Sequence, residues 1–310
     1  MMKHFLSLAD LTTEELQGLL DLSLRLKDEW RAGGNAPILK GKVLGEIFQK
    51  PSLRTRVSFD VAMLQLGGHA LYLSPNEIQL GKRESVADVA RVISRYVNIV
   101  MARVFGHADL VELAQYADVP IINGLSDYSH PCQGVADFLT ILEHKGGFQD
   151  RKLTFLGDGN NVSTSLLFGA TKLGMDFAIG TPPGYELHPA VWALGERFAA
   201  QSGSRILATH DPLEAIKDAD VVYTDAWASM GQEAEAEKRR RVFPPYRIDE
   251  DILEHAQDDV IAMHCLPAHR GEEITDAVAD GPHSVLFDQA ENRLHAQKAI
   301  IAWLLEKVEG

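Results

Sequence analysis

The chain has 310 residues, of which 45% are hydrophobic and 24% charged, so it is long enough for two domains or one large α/β unit with a sizeable core. Its formal net charge of −14 excludes a general nucleic-acid binder and means that any anion site must be a local positive region. The sequence has two cysteines and no long apolar stretch, which predicts a cytoplasmic protein without disulfides or membrane spans.

Strand-like and helix-like segments alternate along the sequence. An amphipathic helix is predicted after Thr12, which has capping-box spacing to Glu15. The segments predicted as strands are "KVLGEIF", "HALYLS", "NIVMARV" and "VPIING", then "RKLTFLGD", "MDFAIGTP", "RILATH", "DVVYTD", "DDVIAMHCLP" and "SVLFDQA". Helices are predicted for most of the segments between them, and a long final helix for "ENRLHAQKAIIAWLLEKV". This alternation predicts an α/β protein with mainly parallel sheets flanked by helices, divided near the polar segment "KGGFQDR".

The segment "FQKPSLRTRVSFD" (48–60) places two arginines at the start of a predicted helix, where the backbone is already positive. Ser52 is positioned to cap this helix, and Thr55 lies one turn along on nearly the same face. Free backbone N–H groups and the bidentate guanidinium of Arg54 suit a phosphate dianion. A solvated helix face is the alternative for either arginine alone, but the cluster favours an anion site.

A second helix start, "SHPCQG" (129–134), has polar groups on either side of Pro131, a residue favoured at the first helical position. His130 is a candidate for polarising a carbonyl group, and a structural histidine is the alternative. The nearby Cys132 and the later pair His264–Cys265 raise the question of zinc. Because regular ligand pairs such as CxxC are missing, we predict no metal site.

The segment "FLGDGNNVS" (155–163) carries half of a dinucleotide-binding fingerprint. Gly157 and Gly159 are present, but Val162 occupies the third glycine position and no acidic residue ends the next strand. An NAD-dependent oxidoreductase is therefore a weakly supported alternative. A crevice that presents Asn161 to a ligand fits the segment better.

Asp225 and Cys265 each follow a predicted strand, where open α/β sheets place ligand-binding groups. An acid and a thiol at neighbouring strand ends suit a cationic amino substrate, although a helix cap or a small buried residue remains an alternative for each. The basic run in "EAEAEKRRRVF" (233–243) has Glu235–Arg239 and Glu237–Arg241 at i,i+4 spacing, which predicts a solvated, salt-bridged helix.

In this order, these segments resemble the aspartate/ornithine carbamoyltransferase family over nearly the whole chain. The family hallmark S-T-R-T-R corresponds to residues 52–56, "SLRTR", with Leu53 in place of the usual threonine. The matches to the ornithine branch are His130-Pro131-Cys132-Gln133, Asp225 through Ser229-Met230-Gly231, and His264-Cys265-Leu266-Pro267. In this reading Arg56 is structural and pairs within the protein.

The resemblance implies transfer of the carbamoyl group of carbamoyl phosphate to the δ-amine of L-ornithine, giving L-citrulline and phosphate. It implies no metal or organic cofactor, and a place in arginine biosynthesis or the arginine deiminase pathway. The implied catalytic residues are Arg54, Arg103, His130, Asp225 and Cys265. The implied carbamoyl phosphate-binding residues are Ser52, Leu53, Arg54, Thr55, Gln79, Arg103, His130, Pro131, Cys132, Gln133, Cys265, Leu266 and Arg293. The implied ornithine-binding residues are Asn161, Asp225, Ser229 and Met230.

The implied architecture has a carbamoyl phosphate-binding domain (residues 1–134 with a C-terminal helix at 291–310) and an ornithine-binding domain (135–290), with the active site in the cleft between them. The expected partners are the two substrates and further copies of the chain, as a trimer or an assembly of trimers in which Gln79 reaches a neighbour's site; no nucleic acid or membrane is expected. Other acceptors remain alternatives: aspartate, N-acetylornithine, N-succinylornithine and putrescine. A non-catalytic sensor would be expected to lack Asp225, Cys265 or His130, and all three are present.

Overall fold

The computed structural model describes residues 3–228 and 235–309. The chain divides into two compact units: unit 1 is Met1–Leu139 with Asn292–Gly310, and unit 2 is Thr140–Glu291. The sequence predicts domain boundaries after residues 134 and 290, whereas the observed divisions follow residues 139 and 291. Among the described helices, none combines the length and the apolar composition that crossing a bilayer requires.

Unit 1 is built on a four-stranded parallel sheet. Its strands are β1 (Val43–Phe48), β2 (His69–Leu73), β3 (Ile99–Arg103) and β4 (Ile121–Leu125), in the order β2-β1-β3-β4. Its helices are α1 (Thr13–Arg31), α2 (Leu53–Gln65), α3 (Pro75–Ile78), α4 (Val86–Ile93), α5 (His107–Tyr116), the first part of α6 (Pro131–Lys145) and most of the last helix, α13 (Leu286–Glu309). The α1 capping box between Thr12 and Glu15 is confirmed.

The register of unit 1 brings the end of β1 and the end of β3 side by side. Phe48, the last residue of β1, pairs with Arg103, the last residue of β3. Because the strands are parallel, the chain that leaves β1 towards α2 starts next to Arg103. After α2, Gly67 adopts a left-handed conformation (φ +85°), and a Cβ at this position would lie 2.6 Å from the Cβ of Pro37. Glycine therefore lets the chain turn tightly into β2.

Unit 2 is built on a five-stranded parallel sheet. Its strands are β5 (Lys152–Leu156), β6 (Asp176–Gly180), β7 (Ile206–Thr209), β8 (Val221–Thr224) and β9 (Ile261–His264), in the order β7-β6-β5-β8-β9. Its helices include α7 (Asn161–Leu173), α8 (Pro189–Ser202), α9 (Pro212–Ile216), α10 (Ala236–Val242), α11 (Glu250–Leu253) and α12 (Asp276–Ala279). Thr224 pairs with His264, so Asp225 and Cys265 follow two neighbouring strand ends.

One predicted element is wrong. The segment "SVLFDQA" (284–290) is predicted as a strand before a helix that begins at 291, but α13 begins at Leu286. Only a single bridge between Ser284 and Ala262 remains of the predicted strand. Asp288 lies in the first helical turn, where a carboxylate interacts favourably with the positive end of the helix. The apolar run alone could not distinguish a short strand from a buried helix start.

Candidate active site

In unit 1, the site begins at the start of α2. Ser52 caps this helix: its Oγ accepts a hydrogen bond from the Thr55 backbone N–H (3.4 Å) and donates one to Thr55 Oγ1 (3.0 Å). The first turn of α2 has no acidic residue, so its positive end is not neutralised locally. Arg54 is half-buried, whereas the Leu53 side chain is 76% exposed. The structure therefore favours a backbone N–H contact, rather than a side-chain contact, for Leu53.

Two buried arginines from distant segments extend this cluster. Arg103 ends β3 with only 7% of its surface exposed, and Arg293 of α13 has 4% exposed. The Nη2 atom of Arg293 donates to Thr55 Oγ1 at 2.8 Å. Arg56 points elsewhere: its guanidinium lies 3.6 Å from Asp60 and 3.9 Å from the centre of the Tyr72 ring, which confirms its expected pairing within the protein.

The start of α6 adds His130, Pro131, Cys132 and Gln133, all buried. Pro131 is the first residue of the helix, as predicted. The amide of Gln133 donates to Asp137 (2.8 Å), which orients its side chain. The Cys132 thiol donates to the carbonyl of Asn123 (3.3 Å), and burial raises its pKa to about 12. Because this thiol stays protonated, it is not a nucleophile, and a role for Cys132 would fall to its backbone.

The charges of unit 1 act on one another. The pKa of His130 lies well below its ordinary value, first because of burial and then because of the cations Arg293, Arg103 and Lys50. Its imidazole is therefore neutral at physiological pH and can donate a hydrogen bond without adding charge.

Lys50 is a residue of this cluster that the sequence reasoning missed. Burial, followed by the charge of Arg103, lowers its pKa to about 8, while Asp127 opposes the shift. Its Nζ lies 5.1 Å from the centre of the Phe105 ring. The position of Lys50 in the sequence, between the end of β1 and the cap residue Ser52, could have indicated this role. Its proximity to Arg103 depends on strand register, which the sequence does not give.

Gln79 lies apart from these contacts. It follows α3 in a left-handed conformation (φ +42°), is exposed, and its side-chain amide donates to the carbonyl of Asn76 (3.4 Å).

In unit 2, the site is organised around the half-buried carboxylate of Asp225, which follows β8. One oxygen, Oδ1, accepts hydrogen bonds from the Ala226 backbone (2.8 Å) and the Cys265 thiol (3.1 Å). The other, Oδ2, accepts one from the Asn160 amide (3.0 Å). The acid and the thiol at neighbouring strand ends, predicted from the sequence, are thus in direct contact.

The neighbouring asparagines have different places. Asn160, not Asn161, contacts Asp225, and it also caps α7 by accepting hydrogen bonds from the backbones of Val162 and Ser163. Asn161 is the first residue of the helix and is half-buried. The contact between Asn160 and Asp225 was not predicted from the sequence, because cap geometry decides which side chain turns back to the strand end.

Gly159 of "GDGNN" has a structural explanation that needs no nucleotide. A Cβ at Gly159 would lie 2.3 Å from the backbone nitrogen of Leu187, so any side chain would displace that strand-to-helix connection. Close backbone approach therefore accounts for the second glycine of the partial fingerprint.

Cys265 and Leu266 leave β9 in a loop held by a buried pair. The Leu266 backbone N–H donates to Nδ1 of His264 (2.8 Å), so the proton of this imidazole is on Nε2, which donates to Glu273 (3.0 Å). The backbone N–H of His264 donates to Gln289 (2.9 Å). Leu266 is left-handed (φ +57°), a conformation that these contacts stabilise. Glu273 is a supporting residue that the motif alone did not indicate.

Two groups could be read as metal sites. Asp225, His264 and Cys265 place one ligand atom each within 4.8 Å of one another, as do His269, Glu272 and Glu273. In the first group, both ring nitrogens of His264 are already in hydrogen bonds. In the second, Glu272 accepts from Arg240 (2.9 Å) and Glu273 accepts from His264. These contacts favour hydrogen-bond networks over metal ligation.

The expected ornithine-binding residues Ser229 and Met230 lie outside the described residues. The next helix, α10, differs in part from the predicted solvated, salt-bridged helix. Both predicted pairs occur, Glu235–Arg239 (3.3 Å) and Glu237–Arg241 (3.9 Å). Arg241 is solvated as predicted, but Arg239 is only 4% exposed, so a solvated position is wrong for this residue.

Comparisons with known proteins agree over nearly the whole chain. Residues 3–143 match the family model described as "Aspartate/ornithine carbamoyltransferase, carbamoyl-P binding domain", and residues 149–304 match "Aspartate/ornithine carbamoyltransferase, Asp/Orn binding domain". Ornithine carbamoyltransferase of Pyrococcus abyssi is 55% identical over 99% of this chain and 97% of its own length. The anabolic ornithine carbamoyltransferase of Pyrococcus furiosus is 54% identical over 98% of this chain and 96% of its own. The solved structure of ornithine carbamoyltransferase from Pyrococcus furiosus covers 97% of this chain and 96% of that one, with a TM-score of 0.95 and 55% identity.

Proposed function

Because this chain belongs to the aspartate/ornithine carbamoyltransferase family, we propose that it transfers the carbamoyl group of carbamoyl phosphate to the δ-amine of L-ornithine, giving L-citrulline and phosphate. The observation that carries the proposal is the identity of 54–55% over nearly the full length of proteins named ornithine carbamoyltransferase. The name of the Pyrococcus furiosus relative, "anabolic", supports the biosynthetic direction.

We propose that unit 1 binds carbamoyl phosphate. The free N–H groups at the start of α2, with Ser52, Thr55 and Arg54, would hold the phosphate, together with Arg103 and Lys50. Support comes from the absence of acidic residues in the first turn of α2 and from the mutual repulsion of the surrounding cations, which a bound dianion would relieve. The remaining expected contacts to this substrate are Leu53, Gln79, Pro131, Cys132, Gln133, Cys265, Leu266 and Arg293.

We propose that neutral His130 donates a hydrogen bond to the carbonyl oxygen of the carbamoyl group. In the reaction, the neutral δ-amine attacks the carbonyl carbon and forms a tetrahedral oxyanion. The C–O bond to phosphate then breaks, and phosphate leaves with that electron pair. Preorganised donors on the oxyanion and on the leaving group act where charge develops, usually the largest contribution to catalysis. The lowered pKa of His130 supports this role, because a neutral donor remains effective beside several arginines.

We propose that unit 2 binds ornithine, with Asp225 holding the α-amino group and Cys265 next to the δ-amine; Asn161, Ser229 and Met230 are the other expected contacts. An ordinary lysine-like amine has a pKa of about 10.4, so the enzyme must select or generate the neutral form. The 3.1 Å hydrogen bond from Cys265 to Asp225 supports the hypothesis that this pair accepts the amine's proton.

We propose that the protein is a homotrimer or an assembly of trimers. The support is an apolar stripe of 4-residue and 7-residue spacing on α2: Leu53 is 76% exposed, Val57 47% and Leu64 70%. Leu71 on the edge strand β2 is a further exposed apolar residue, at 50%. Gln79 would then be free to contact a neighbouring copy. Light scattering of the purified protein tests the assembly, and Leu64→Glu is expected to weaken it.

We also propose a cytoplasmic location, supported by two cysteines that are both free thiols.

The function is tested by measuring citrulline formation from carbamoyl phosphate and L-ornithine without added metal. L-aspartate, N-acetylornithine, N-succinylornithine and putrescine serve as parallel acceptors. Turnover selective for ornithine would support the proposal. Turnover of another acceptor would overturn the assignment of unit 2 and keep that of unit 1. Absence of turnover with every acceptor, despite tight binding of carbamoyl phosphate, would favour a non-catalytic sensor.

A further inference from the structure

We propose that Arg239 is a positioning residue for the ornithine half-site: from a buried place in unit 2, its guanidinium fixes both strand ends that form the Asp225 site. The role for ornithine rests on the proposed function, whereas the positioning of the Asp225 strand end does not. Sequence reasoning placed Arg239 on a solvated helix face, and its burial is what calls for another explanation.

Arg239 is held from several directions. Its Nη1 donates to Oδ2 of Asp158 (2.6 Å) and to the backbone carbonyl of Trp227 (2.7 Å). Its Nε donates to Glu235 (3.3 Å). The guanidinium carbon lies 4.9 Å from the centre of the Tyr185 ring and 5.6 Å from that of Phe243. The side chain is therefore fixed by hydrogen bonds in its plane and by aromatic rings, an arrangement that a lysine ammonium cannot reproduce.

Two of these contacts link Arg239 to Asp225, the acid proposed to bind substrate. Trp227 lies two residues after Asp225, so its carbonyl fixes the chain that leaves β8. Asp158 lies two residues before Asn160, whose amide donates to Asp225 Oδ2 at 3.0 Å. One guanidinium thus holds the segment that carries Asp225 and the segment that carries the amide partner of Asp225.

Arg239 also balances a second acid close to the first. Asp158 has a raised pKa, first because of burial, and the charges of Asp225 and Glu235 raise it further. The hydrogen bond and the charge of Arg239 oppose this shift. Without Arg239, Asp158 would have to take up a proton or turn away, and either change would disturb the turn 158–160 that presents Asn160 to Asp225. A purely packing role would not require the positive charge.

The same side chain contacts described residues on both sides of the segment in which Ser229 and Met230 are expected to bind substrate. Ala228 is the last described residue before this segment and Glu235 is the first after it. Arg239 bonds to Trp227 on one side and to Glu235 on the other. A defect at Arg239 should therefore affect binding of the amino substrate selectively.

The kinetic test compares Arg239→Gln and Arg239→Lys with Arg241→Gln, a matched control on the same helix whose partner pair with Glu237 is exposed. In Arg239→Gln, the KM for L-ornithine should rise about tenfold or more, while the KM for carbamoyl phosphate stays within about threefold. Arg239→Lys should recover part of the loss because it keeps the charge. Arg241→Gln should match the wild type. An ornithine KM within about twofold of wild type in Arg239→Gln, or equal rises in both KM values, would overturn the proposal.

A second measurement does not depend on turnover. Hydrogen–deuterium exchange of the backbone around 225–228 should be faster in Arg239→Lys than in the wild type and unchanged in Arg241→Gln, because the Trp227 carbonyl loses its fixed donor. Unchanged exchange in Arg239→Lys would overturn the positioning role of Arg239. This conclusion holds whichever amine the protein carbamoylates. If Arg239→Gln does not fold, Asp158→Asn replaces it: the guanidinium remains, and the ornithine KM should rise by a smaller factor. Failure of wild-type citrulline formation would instead count against the proposed function alone.

Discussion

Unit 1 gathers cations around two helix starts, whereas unit 2 surrounds one carboxylate with hydrogen-bond donors. In unit 1, Arg293, Arg103 and Lys50 all lower the pKa of His130, so these groups act on one another unfavourably. In unit 2, three donors from Asn160, Ala226 and Cys265 already meet the oxygens of Asp225. The cations of the first half-site repel one another, whereas the carboxylate of the second half-site already has its hydrogen-bond donors before any ligand binds.

This difference indicates a different contribution from each half-site. A cluster of like charges costs folding stability, and the proposed binding of a dianion would offset that cost, so under the proposed function unit 1 should control phosphate affinity and leaving-group stabilisation. A carboxylate with fixed donors keeps its geometry, so unit 2 should control the choice and orientation of the amine. Substitutions confined to one unit can break or sharpen this division.

The largest effect is expected from Arg54→Met. Under the proposed function, removing the guanidinium at the start of α2 takes away the charged donor proposed for the leaving phosphate, and kcat/KM for carbamoyl phosphate should fall by about a thousandfold. Arg56→Met on the same helix removes an exposed pair with Asp60 and serves as the control, with a change of about threefold or less. Initial rates of citrulline formation measure both. If Arg54→Met kept a tenth of wild-type activity, the phosphate site would have to be sought elsewhere in unit 1.

The next effect concerns the stability of unit 1 rather than its chemistry. Glu46 of β1 is fully buried, and both of its carboxylate oxygens lack a hydrogen-bond partner among the described residues. Burial, followed by the charge of Asp60, raises its pKa from the ordinary 4.5 to about 8, while Arg56 opposes the shift. The folded state therefore binds a proton that the unfolded chain releases, and stability falls as pH rises from 4.5 to 8.

Glu46→Gln removes this dependence. Relative to wild type, the variant should gain about 2–3 kcal/mol between pH 5 and pH 8.5, below the limit of about 5 kcal/mol that the full shift would allow. Urea unfolding followed by circular dichroism at both pH values measures the difference. Glu46→Met, which removes the polar group altogether, should gain stability relative to wild type with rising pH in the same way as Glu46→Gln. A stability difference independent of pH would mean that Glu46 finds a partner when it ionises.

The sequence was sufficient wherever the chemistry is local. Ser52 as a helix cap, Pro131 at the first position of α6 and the acid–thiol pair Asp225–Cys265 at neighbouring strand ends follow from cap preferences and from the α/β pattern. The alternation of segments likewise predicted two parallel sheets. Each of these inferences needs only a few consecutive residues or the order of the strands.

The sequence was not sufficient where distant segments meet. Lys50 joins the cationic cluster because β1 lies beside β3. The buried Arg239 bonds to Asp158 and Trp227, which follow the ends of β5 and β8. The i,i+4 pairing of Arg239 with Glu235 was predicted, but spacing along one helix cannot say which face is covered. The hydrogen bond from Asn160 to Asp225 depends on cap geometry that the sequence pattern does not resolve.

A smaller catalytic effect is expected in unit 2 from Cys265→Ser. The serine keeps a donor to Asp225 but is less acidic and has a shorter reach, so kcat should fall by about 10- to 30-fold and the pH profile should shift. The KM for carbamoyl phosphate should change less than kcat, which would sharpen the division between the units. Steady-state kinetics from pH 6 to 10 measure both parameters. An unchanged rate and pH profile would remove the hypothesis that Cys265 and Asp225 share the amine's proton.

The smallest effect is expected for Lys50→Gln in unit 1. Since the pKa of Lys50 is lowered to about 8, the side chain is charged at pH 7 and largely neutral at pH 9. The KM for carbamoyl phosphate should therefore rise about 3- to 5-fold at pH 7, and the difference from wild type should shrink at pH 9. Lys40→Gln, at an exposed position of the same unit, is the matched control and should not differ from wild type at either pH. If the ratio of the variant's KM to the wild-type KM is constant across this range, Lys50 acts through packing against Phe105 and not through charge. If the ratio falls as pH rises, Lys50 is one of the phosphate-binding cations. That result would also support the view that repulsion among the cations of unit 1 persists until a dianion binds.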